Sequence, residues 1–346
     1  MEKEQTEIDI LSLSCDELTR EILAMGEKTF RAKQIYEWLH VKKISDFSQM
    51  SNISVQLRER LSKKFCIKSL KIKKRLVSDL DNTVKYLYGL PDGQAVETVL
   101  MEYKHGNSLC ISTQVGCKMG CRFCASAIAG FVRNLEPSEM LLQIYETERD
   151  SGRQVDSIVL MGIGEPLDNF DNVMKFLSLL NSGGEGMSLR HISLSTCGIV
   201  ERIYELAELR TGLTLSVSLH AATDEKRSAI MPVNRRYGLE ELMTACREYF
   251  AKTGRRISFE YSLIEGVNDT EQSARELIEL LGGMNCHVNL IPINEIRERD
   301  YKKSRYVESF RRRLTSAGIN ATVRRTLGAD INAACGQLRR DEASDR

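Results

Sequence analysis

The sequence predicts an α/β protein, and three observations predict it. From Leu109 onward, short β-branched or aliphatic runs alternate with amphipathic helical runs. Ahead of them, roughly the first seventy residues carry helical periodicity only, and between the two regions three short runs repeat with period two. Repeated strand–helix units imply parallel strands joined by right-handed crossovers, hence an α/β barrel or a doubly wound sheet. In either, functional groups gather at the carboxyl ends of the strands.

In the first segment Ser14 and Glu17 match a capping box, and Gly26 is a natural stop for the helix they open. A second helix starts near Thr29 with Phe30, Ile35, Trp38 and Leu39 as its buried face. Ser54 opens a third, in which Leu57, Leu61 and Phe65 recur every four residues. Strands follow at 71–77, 83–88 and 95–102, with turns at Asp81-Asn82 and Pro91-Asp92-Gly93. The alternating region predicts strands at 109–114, 157–163, 191–196, 213–219, 256–263, 287–293 and 321–326. Helices are expected at 138–149, 169–181, 199–209, 239–253, 269–282 and 304–317. The expected division is a helical accessory domain at 1–70, a β-strand extension at 71–105, the main α/β domain at 106–338 and a polar tail at 339–346.

A length of 346 residues suits such a core with a smaller domain attached. The 42% hydrophobic and 28% charged content is that of an ordinary globular chain, and a net charge of +1 excludes a uniformly basic nucleic-acid coat. Charge is nevertheless segregated. Arg58, Arg60, Lys63, Lys64, Lys68, Lys71, Lys73, Lys74 and Arg75 face one acid, Glu59, and a second cluster comprises Lys302, Lys303, Arg305, Arg311, Arg312, Arg313, Arg324 and Arg325. Each alone reads as a solvated face; together they suit a phosphate-bearing polymer. Ten cysteines, three of them clustered, fit a reducing compartment rather than a disulfide scaffold. The N-terminus is too acidic for a signal peptide and no apolar run is long enough to span a bilayer, so a cytoplasmic location without a membrane partner is expected.

Cys117, Cys121 and Cys124 form a C-x3-C-x2-C pattern with Phe123 beside the last. This spacing lets a loop wrap one face of an iron–sulfur cube and leaves the fourth iron without a protein ligand. A ferredoxin would add a fourth nearby cysteine, and structural zinc a second Cys or His pair; the next cysteine is Cys197 and the intervening histidine is His191. Zinc and unconnected thiols are the alternative readings. At the second strand's end stand Gly162, Gly164 and Glu165, where glycines permit close approach to a ligand and the carboxylate can accept from an ammonium group. A plain tight turn is the simpler reading. The third strand ends at Ser195, Thr196 and Cys197, the fourth at Ser216, Ser218 and His220, and the sixth at Asn294. Any one could cap a helix, but successive polar strand ends beside a cluster suggest one small polar cofactor.

These residues carry a resemblance. The cysteine motif followed by a GEP segment is similar to the radical S-adenosylmethionine (SAM) superfamily. More narrowly, VETV at 96–99, LCISTQVGC at 109–117, GFVRNL at 130–135, MGIGEPLDN at 161–169, LSTCGI at 194–199, SVSLHA at 216–221, VNLIPIN at 288–294 and GADINAACGQL at 328–338 resemble the family of dual-specificity 23S rRNA and tRNA adenine C2 methyltransferases. The resemblance spans essentially the whole chain. It implies a partial (β/α)6 radical SAM barrel with an N-terminal helical accessory domain for RNA, one 4Fe–4S cluster on Cys117, Cys121 and Cys124, and two SAM molecules per turnover. It implies as substrates an adenosine in the peptidyl-transferase region of 23S rRNA and the adenosine 3′ of the anticodon in tRNA. An electron donor such as flavodoxin or ferredoxin and a monomeric protein complete the expectation.

Adenine C2 lies between two ring nitrogens and is too electron-poor to attack the methyl of SAM, so the family uses a radical route. Carried onto this chain, the resemblance implies that Cys335 takes a methyl group from one SAM as an ordinary nucleophile. The cluster reduces a second SAM, the resulting radical takes a hydrogen from that methyl, and the methylene adds to C2. Glu97 then removes the C2 proton, and Cys110 attacks Cys335 to form a disulfide as the product leaves. Gly164, Glu165, Ser195, Ser218, Leu219, His220 and Asn294 match the family's SAM-contacting positions.

Without the resemblance, Glu97 reads as an outward strand glutamate, Cys110 and Cys335 as buried small hydrophobes and His220 as a satisfied core histidine. Cys15, Cys66, Cys197, Cys246 and Cys286 stay in the buried-hydrophobe class. Val115 and Pro166 set the chain nearer the C2 enzymes than the sibling adenine C8 methyltransferases of 23S rRNA, whereas Glu295 stands where a proline commonly follows Asn294. A noncatalytic iron–sulfur or zinc RNA-binding protein is a third reading; it leaves the AACGQL segment at 333–338 without work.

Overall fold

A computed structural model of the protein describes residues 8–128, 130–182, 186–294, 299–333 and 338. Cys335, Glu295 and the 339–346 tail lie outside the described residues. The chain starts with β1 (Ile8–Asp9), α1 (Cys15–Ala24), α2 (Thr29–His40), α3 (Val55–Lys64) and β2 (Phe65–Cys66), which pairs with β1 in parallel. The helix starts follow the side chains foreseen for them. Ser14 Oγ accepts from the Glu17 N–H while the Glu17 carboxylate accepts from the Ser14 N–H, and Ser54 Oγ accepts from the Leu57 N–H. In α2 the buried stripe is Ala32, Ile35, Tyr36, Leu39 and His40. Phe30 is not part of it: it is 49% exposed, because five residues separate it from Ile35, ~140° around the helix.

Four strands then run as an antiparallel meander: β3 (Lys71–Val77), β4 (Val84–Gly89), β5 (Ala95–Tyr103) and β6 (Gly106–Cys110). A short antiparallel pair, β7 (Gln114–Val115) with β8 (Arg133–Asn134), frames the three-cysteine loop. Strand and helix then alternate through α4 (Pro137–Ser151), β9 (Ser157–Leu160), α5 (Phe170–Ser182), β10 (Ile192–Thr196), α6 (Val200–Glu208), β11 (Thr214–Ser218), α7 (Asp224–Ile230), α8 (Leu239–Thr253), β12 (Ile257–Leu263), α9 (Glu271–Leu281), β13 (Cys286–Pro292), α10 (Val307–Ser316) and β14 (Asn320–Val323). The short α7 is an element that the periodicity did not reveal.

One ten-stranded sheet has the order β14-β13-β12-β11-β10-β9-β6-β5-β4-β3. Every pair from β6 to β14 is parallel, and strand order follows chain order without reversal. A doubly wound sheet would reverse at a switch point, so the winding is that of a barrel. Among the described residues the barrel is partial, because β14 and β3 form its two edges. The meander continues this sheet antiparallel rather than forming a second layer.

The edge strand β3 is almost wholly exposed and carries Lys71, Lys73, Lys74 and Arg75, charges that oppose edge-to-edge pairing. Several basic residues of the first cluster make ion pairs: Arg60 with Glu27, Lys64 with Glu21, Lys68 with Glu136 and Arg75 with Asp150. In the second cluster Arg305 meets Glu265, and Arg311 and Arg313 pair with Glu308 and Glu271. No described helix is long and apolar enough to cross a membrane.

The helical segment is fastened to the barrel through His40, which is fully buried with Nδ1 3.0 Å from the Tyr145 hydroxyl of α4. Among the described residues its Nε2 has no hydrogen-bond partner, and burial pushes its pKa down to about 4 from 6.5. As pH falls below 6.5 the unfolded chain binds a proton at His40 that the native chain refuses, so native stability falls toward acid. The expected slope from this residue is up to ~1.4 kcal/mol per pH unit between 6.5 and about 4. Denaturant titrations of wild type and His40→Leu across this range should differ by that slope; parallel pH profiles would remove His40 as its source.

Candidate active site at the strand ends

The site begins where the chain leaves the sheet. The sequence predicts one strand over 109–114, but β6 stops at Cys110. The next residues lie instead against the end of β9: the Gly162 N–H donates to the Ile111 carbonyl at 3.0 Å, and the Thr113 and Gln114 N–H groups donate to the Ile163 carbonyl at 2.9 and 3.1 Å. A Cβ on Gly162 would sit 2.5 Å from the Ile111 carbonyl oxygen, and one on Gly164 (φ +114°) 2.7 Å from Gln114 Cβ. The approach that requires these glycines is therefore between two stretches of this backbone. Gln114 completes the seam, its Oε1 accepting from the Glu165 N–H at 2.9 Å.

Beyond the seam, Cys117, Cys121 and Cys124 border a cavity of about 220 Å³ together with Gly164, Glu165, Ser195, Ser218, His220 and Glu260. Burial and the neighbouring Cys124 push the Cys117 thiol up to about 12, and burial with Cys124 and Cys117 raises Cys121 likewise. Neighbouring thiols held out of water ionise when a cation joins them. Among the described residues no three His, Cys, Asp or Glu side chains converge on one point as a single metal ion requires. Three thiols bordering one wide cavity suit a polynuclear group whose irons take one sulfur each.

Glu165 is buried with both oxygens engaged: Oε1 accepts from the Leu167 N–H at 3.1 Å and Oε2 from the Cys197 N–H at 2.7 Å. Burial raises its pKa while these backbone donors oppose the rise. His220 adopts φ +57° and accepts the Ser262 N–H at Nδ1 over 2.9 Å; its ring meets the Phe123 ring edge-on at 4.8 Å. Burial and the nearby Arg227 charge depress its pKa to about 3, so the imidazole is neutral. Leu219 is fully buried, and its carbonyl accepts from Arg227 Nε at 3.1 Å.

Arg227, on α7, was missed by sequence reasoning. Its side chain is fully buried and donates to the carbonyls of Leu219, Cys197 (2.7 Å) and Ser218 (3.1 Å) and to Asn234 Oδ1 (2.7 Å). One guanidinium thus gathers the ends of β10 and β11 around the cavity. In DEKRSAI it reads as one more surface charge, so the sequence held no signal for it. Glu260 was missed too: it sits mid-strand in β12, buried, with Asn289 Nδ2 donating to it at 2.7 Å, and burial raises its pKa.

A second cavity, about 210 Å³, is bordered by Val99, Met101, Cys110, Asn294 and Ala333. Met161, Ile291 and Arg324 line both cavities, so the two share a wall. Asn294 belongs to this second cavity and is not among the described residues lining the first. Cys110 is 4% exposed and packs on Val99 and Met101. Glu97 is not the outward glutamate that the strand pattern suggests: it is 1% exposed, and its Oε2 lies 2.9 Å from Lys85 Nζ. Both faces of β5 are covered, so period two does not distinguish inside from outside there.

Comparison with known proteins agrees with this geometry. Residues 8–67 match the model of the ribosomal RNA large subunit methyltransferase N-terminal domain, and residues 111–281 that of the radical SAM superfamily. A probable dual-specificity RNA methyltransferase RlmN from Lachnoclostridium phytofermentans is 53% identical over 339 residues, covering 96% of this chain and 94% of its own. The chain belongs to the RlmN family. The RlmN of Lachnospira eligens, bearing the same description, is 51% identical over 343 residues with 97% of each chain covered. The crystal structure of a radical SAM methyltransferase from Sphaerobacter thermophilus superposes with a TM-score of 0.91 at 40% identity, covering 95% of this chain and 98% of that one. RlmN membership brings the chemistry of the radical SAM superfamily, which employs SAM and a 4Fe–4S cluster.

Arg227→Met would leave three buried carbonyls and the Asn234 side chain without their donor. The expected cost is ~3 kcal/mol or more of native stability, with Arg227→Lys intermediate. Denaturation midpoints of the two variants measure it; a midpoint of the Met variant equal to wild type would show that the strand ends do not need the guanidinium.

Proposed function

We propose that the protein methylates C2 of adenosine in the peptidyl-transferase region of 23S rRNA and 3′ of the anticodon in tRNA, in the cytoplasm. It would consume two SAM molecules per turnover and draw electrons from a donor such as flavodoxin or ferredoxin. The observation that carries the reading is the shared wall of the two cavities: a group held at Cys117, Cys121 and Cys124 faces the cavity that contains Cys110 and Ala333. In sequence Ala333 stands two residues before Cys335. When bound, the cluster and SAM would supply the methyl group and the carbon radical that activates it.

The chain's own residues do the rest. The Glu165 carboxylate, fixed by the Leu167 and Cys197 N–H groups, would accept from the SAM ammonium. Ser195, Ser218 and the neutral His220 offer hydroxyls and an imidazole at neighbouring strand ends, with the buried Leu219 between the last two, while Asn294 would meet SAM from the second cavity, across the shared wall. Gly164 lets the GEP turn lie against Gln114. Cys335 carries the methyl group and becomes joined to C2. Glu97 removes the C2 proton as the adduct gives up its unpaired electron, which the cluster would take back, so that the adduct is closed-shell before release. The Cys110 thiolate then attacks the Cys335 sulfur: an S–S bond forms, the C–S bond breaks, its electron pair goes to the departing carbon, and a proton completes the methyl group.

Anaerobic reaction of cluster-loaded protein with an rRNA fragment, tRNA and methyl-labelled SAM, followed by nucleoside mass analysis, tests the reading. Label in 2-methyladenosine is expected; label only in 8-methyladenosine would reassign the chain to the C8 siblings, and no labelled adenosine would sink the enzyme reading. Cys110→Ala should accumulate RNA joined covalently to the protein, since release then lacks its nucleophile. Free RNA with ordinary turnover in that variant would remove Cys110 from the chemistry. Glu97→Gln should also hold the adduct and yield little product, and an unchanged single-turnover yield would remove Glu97 as the base.

A further inference from the structure

We propose that Lys85 is a positioning residue for this reaction: one buried ammonium group sets both the Glu97 carboxylate and the segment that leads to Cys335. The inference rests on the roles proposed above for Glu97 and Cys335. Its ground is the register of the antiparallel strands. Lys85 of β4 stands opposite Val99 of β5, and Val99 opposite Cys110 of β6. Directly opposed residues share a face, so Lys85, Val99 and Cys110 form one row across the sheet. Glu97, two residues before Val99, is on that face as the diagonal neighbour of Lys85.

Both side chains of the pair have no solvent exposure, and Nζ lies 2.9 Å from Glu97 Oε2. Nζ also donates to the Asn332 carbonyl at 3.1 Å. That carbonyl belongs to a pinned segment: the Gly328 N–H donates to Asp81 Oδ2 at 2.8 Å, and Asp330 accepts from Ser78 Oγ at 2.6 Å and the Asp79 N–H at 2.9 Å. The next residue, Ala333, borders the cavity of Cys110. In sequence Cys335 follows Asn332 by three residues.

Stability alone does not call for such a pair. Removing two charges from water costs about what their attraction returns, and apolar residues of the same size commonly serve as well. The neighbours Leu87, Val99 and Met101 show that this face accepts apolar side chains. What an ammonium adds is direction, because it holds a carboxylate oxygen and a backbone oxygen from two distant parts of the chain at hydrogen-bond length. A base misplaced by about 1 Å loses of order 10²-fold in rate.

The test uses cluster-loaded, full-length protein carrying Lys85→Met, Lys85→Gln or Lys85→Arg, with Glu97→Gln alongside. Three quantities are read: labelled methyl on Cys335 by peptide mass analysis, covalent protein–RNA adduct, and released 2-methyladenosine. For the Met and Gln variants, methyl loading of Cys335 is expected to persist, adduct to accumulate, and release to fall on the order of 10²-fold. The Arg variant should restore part of the release. Hydrogen exchange over 328–333 in the unloaded protein should quicken in the Met variant, which a fault in chemistry alone would not produce.

Wild-type release without adduct in whichever neutral variant folds would overturn the proposal, as would loss of Cys335 methylation in a folded variant or unchanged exchange over 328–333. Glu97→Gln separates the two levels. If it holds adduct and the Lys85 variants do not, the positioning role alone fails; if it holds none, the base assignment fails and the positioning role with it.

Discussion

The arrangement depends on the seam between residues 111–114 and 162–164, where two stretches of backbone meet at the barrel's first parallel pair. Ser112 is its centre: its hydroxyl donates to the Glu97 carbonyl at 2.6 Å and accepts the Ile163 N–H at 3.1 Å. Gln143 of α4 receives the Ser112 N–H at 2.8 Å, returns a bond to its carbonyl at 3.0 Å and accepts from Thr98 Oγ1 at 2.9 Å. These groups are buried, so each bond lost would leave a partner unsatisfied at a cost of ~1–3 kcal/mol. The consequence is positional. β5 with Glu97, the exit of β6 after Cys110, the three-cysteine loop and the GEP turn are fixed relative to one another through a few peptide groups and the side chains of Thr98, Ser112, Gln114 and Gln143.

Such a seam explains why the site is divided into two cavities with a common wall. The parallel strands present polar groups at their carboxyl ends, as their winding requires, and Arg227 draws the ends of β10 and β11 together by its four acceptors. The antiparallel meander adds a different contribution: its inner face carries Cys110, Val99, Glu97 and Lys85 across three strands. A radical SAM barrel alone would end at the first cavity. The extension continues the same sheet and adds a second cavity, bordered by Cys110, with the buried Glu97 on the same face of the sheet.

Much of this was legible in the sequence, for identifiable reasons. The caps at Ser14 and Ser54 are local hydrogen-bond chemistry, and the strand–helix alternation of 157–323 reflects burial on both faces of a parallel sheet. The three cysteines and the strand-end residues Glu165, Ser195, Ser218 and His220, which line one cavity, stood out because their spacing and their place at strand ends are themselves chemical signals. What escaped was set by tertiary context. Phe30 fails as a core residue by helical phase, Arg227 and Lys85 look like surface charges in their own segments, and the end of β6 at Cys110 is imposed by β9, roughly fifty residues on.

Three of the buried charges share one logic. Arg227 satisfies carbonyls, Glu165 satisfies backbone N–H groups, and Lys85 spans a carboxylate and a carbonyl. In each case a charged side chain replaces water for the backbone groups of a turn that could not enter a regular ladder. Turns of this kind are what a barrel must form at its active rim, since the sheet's hydrogen bonds end there while the chain stays buried. A group that neutralises an orphaned carbonyl also fixes its direction, and fixed direction is what a preorganised site requires. Fold and chemistry thus place their charges at the same few strand ends because the same unsatisfied backbone creates both the need and the opportunity.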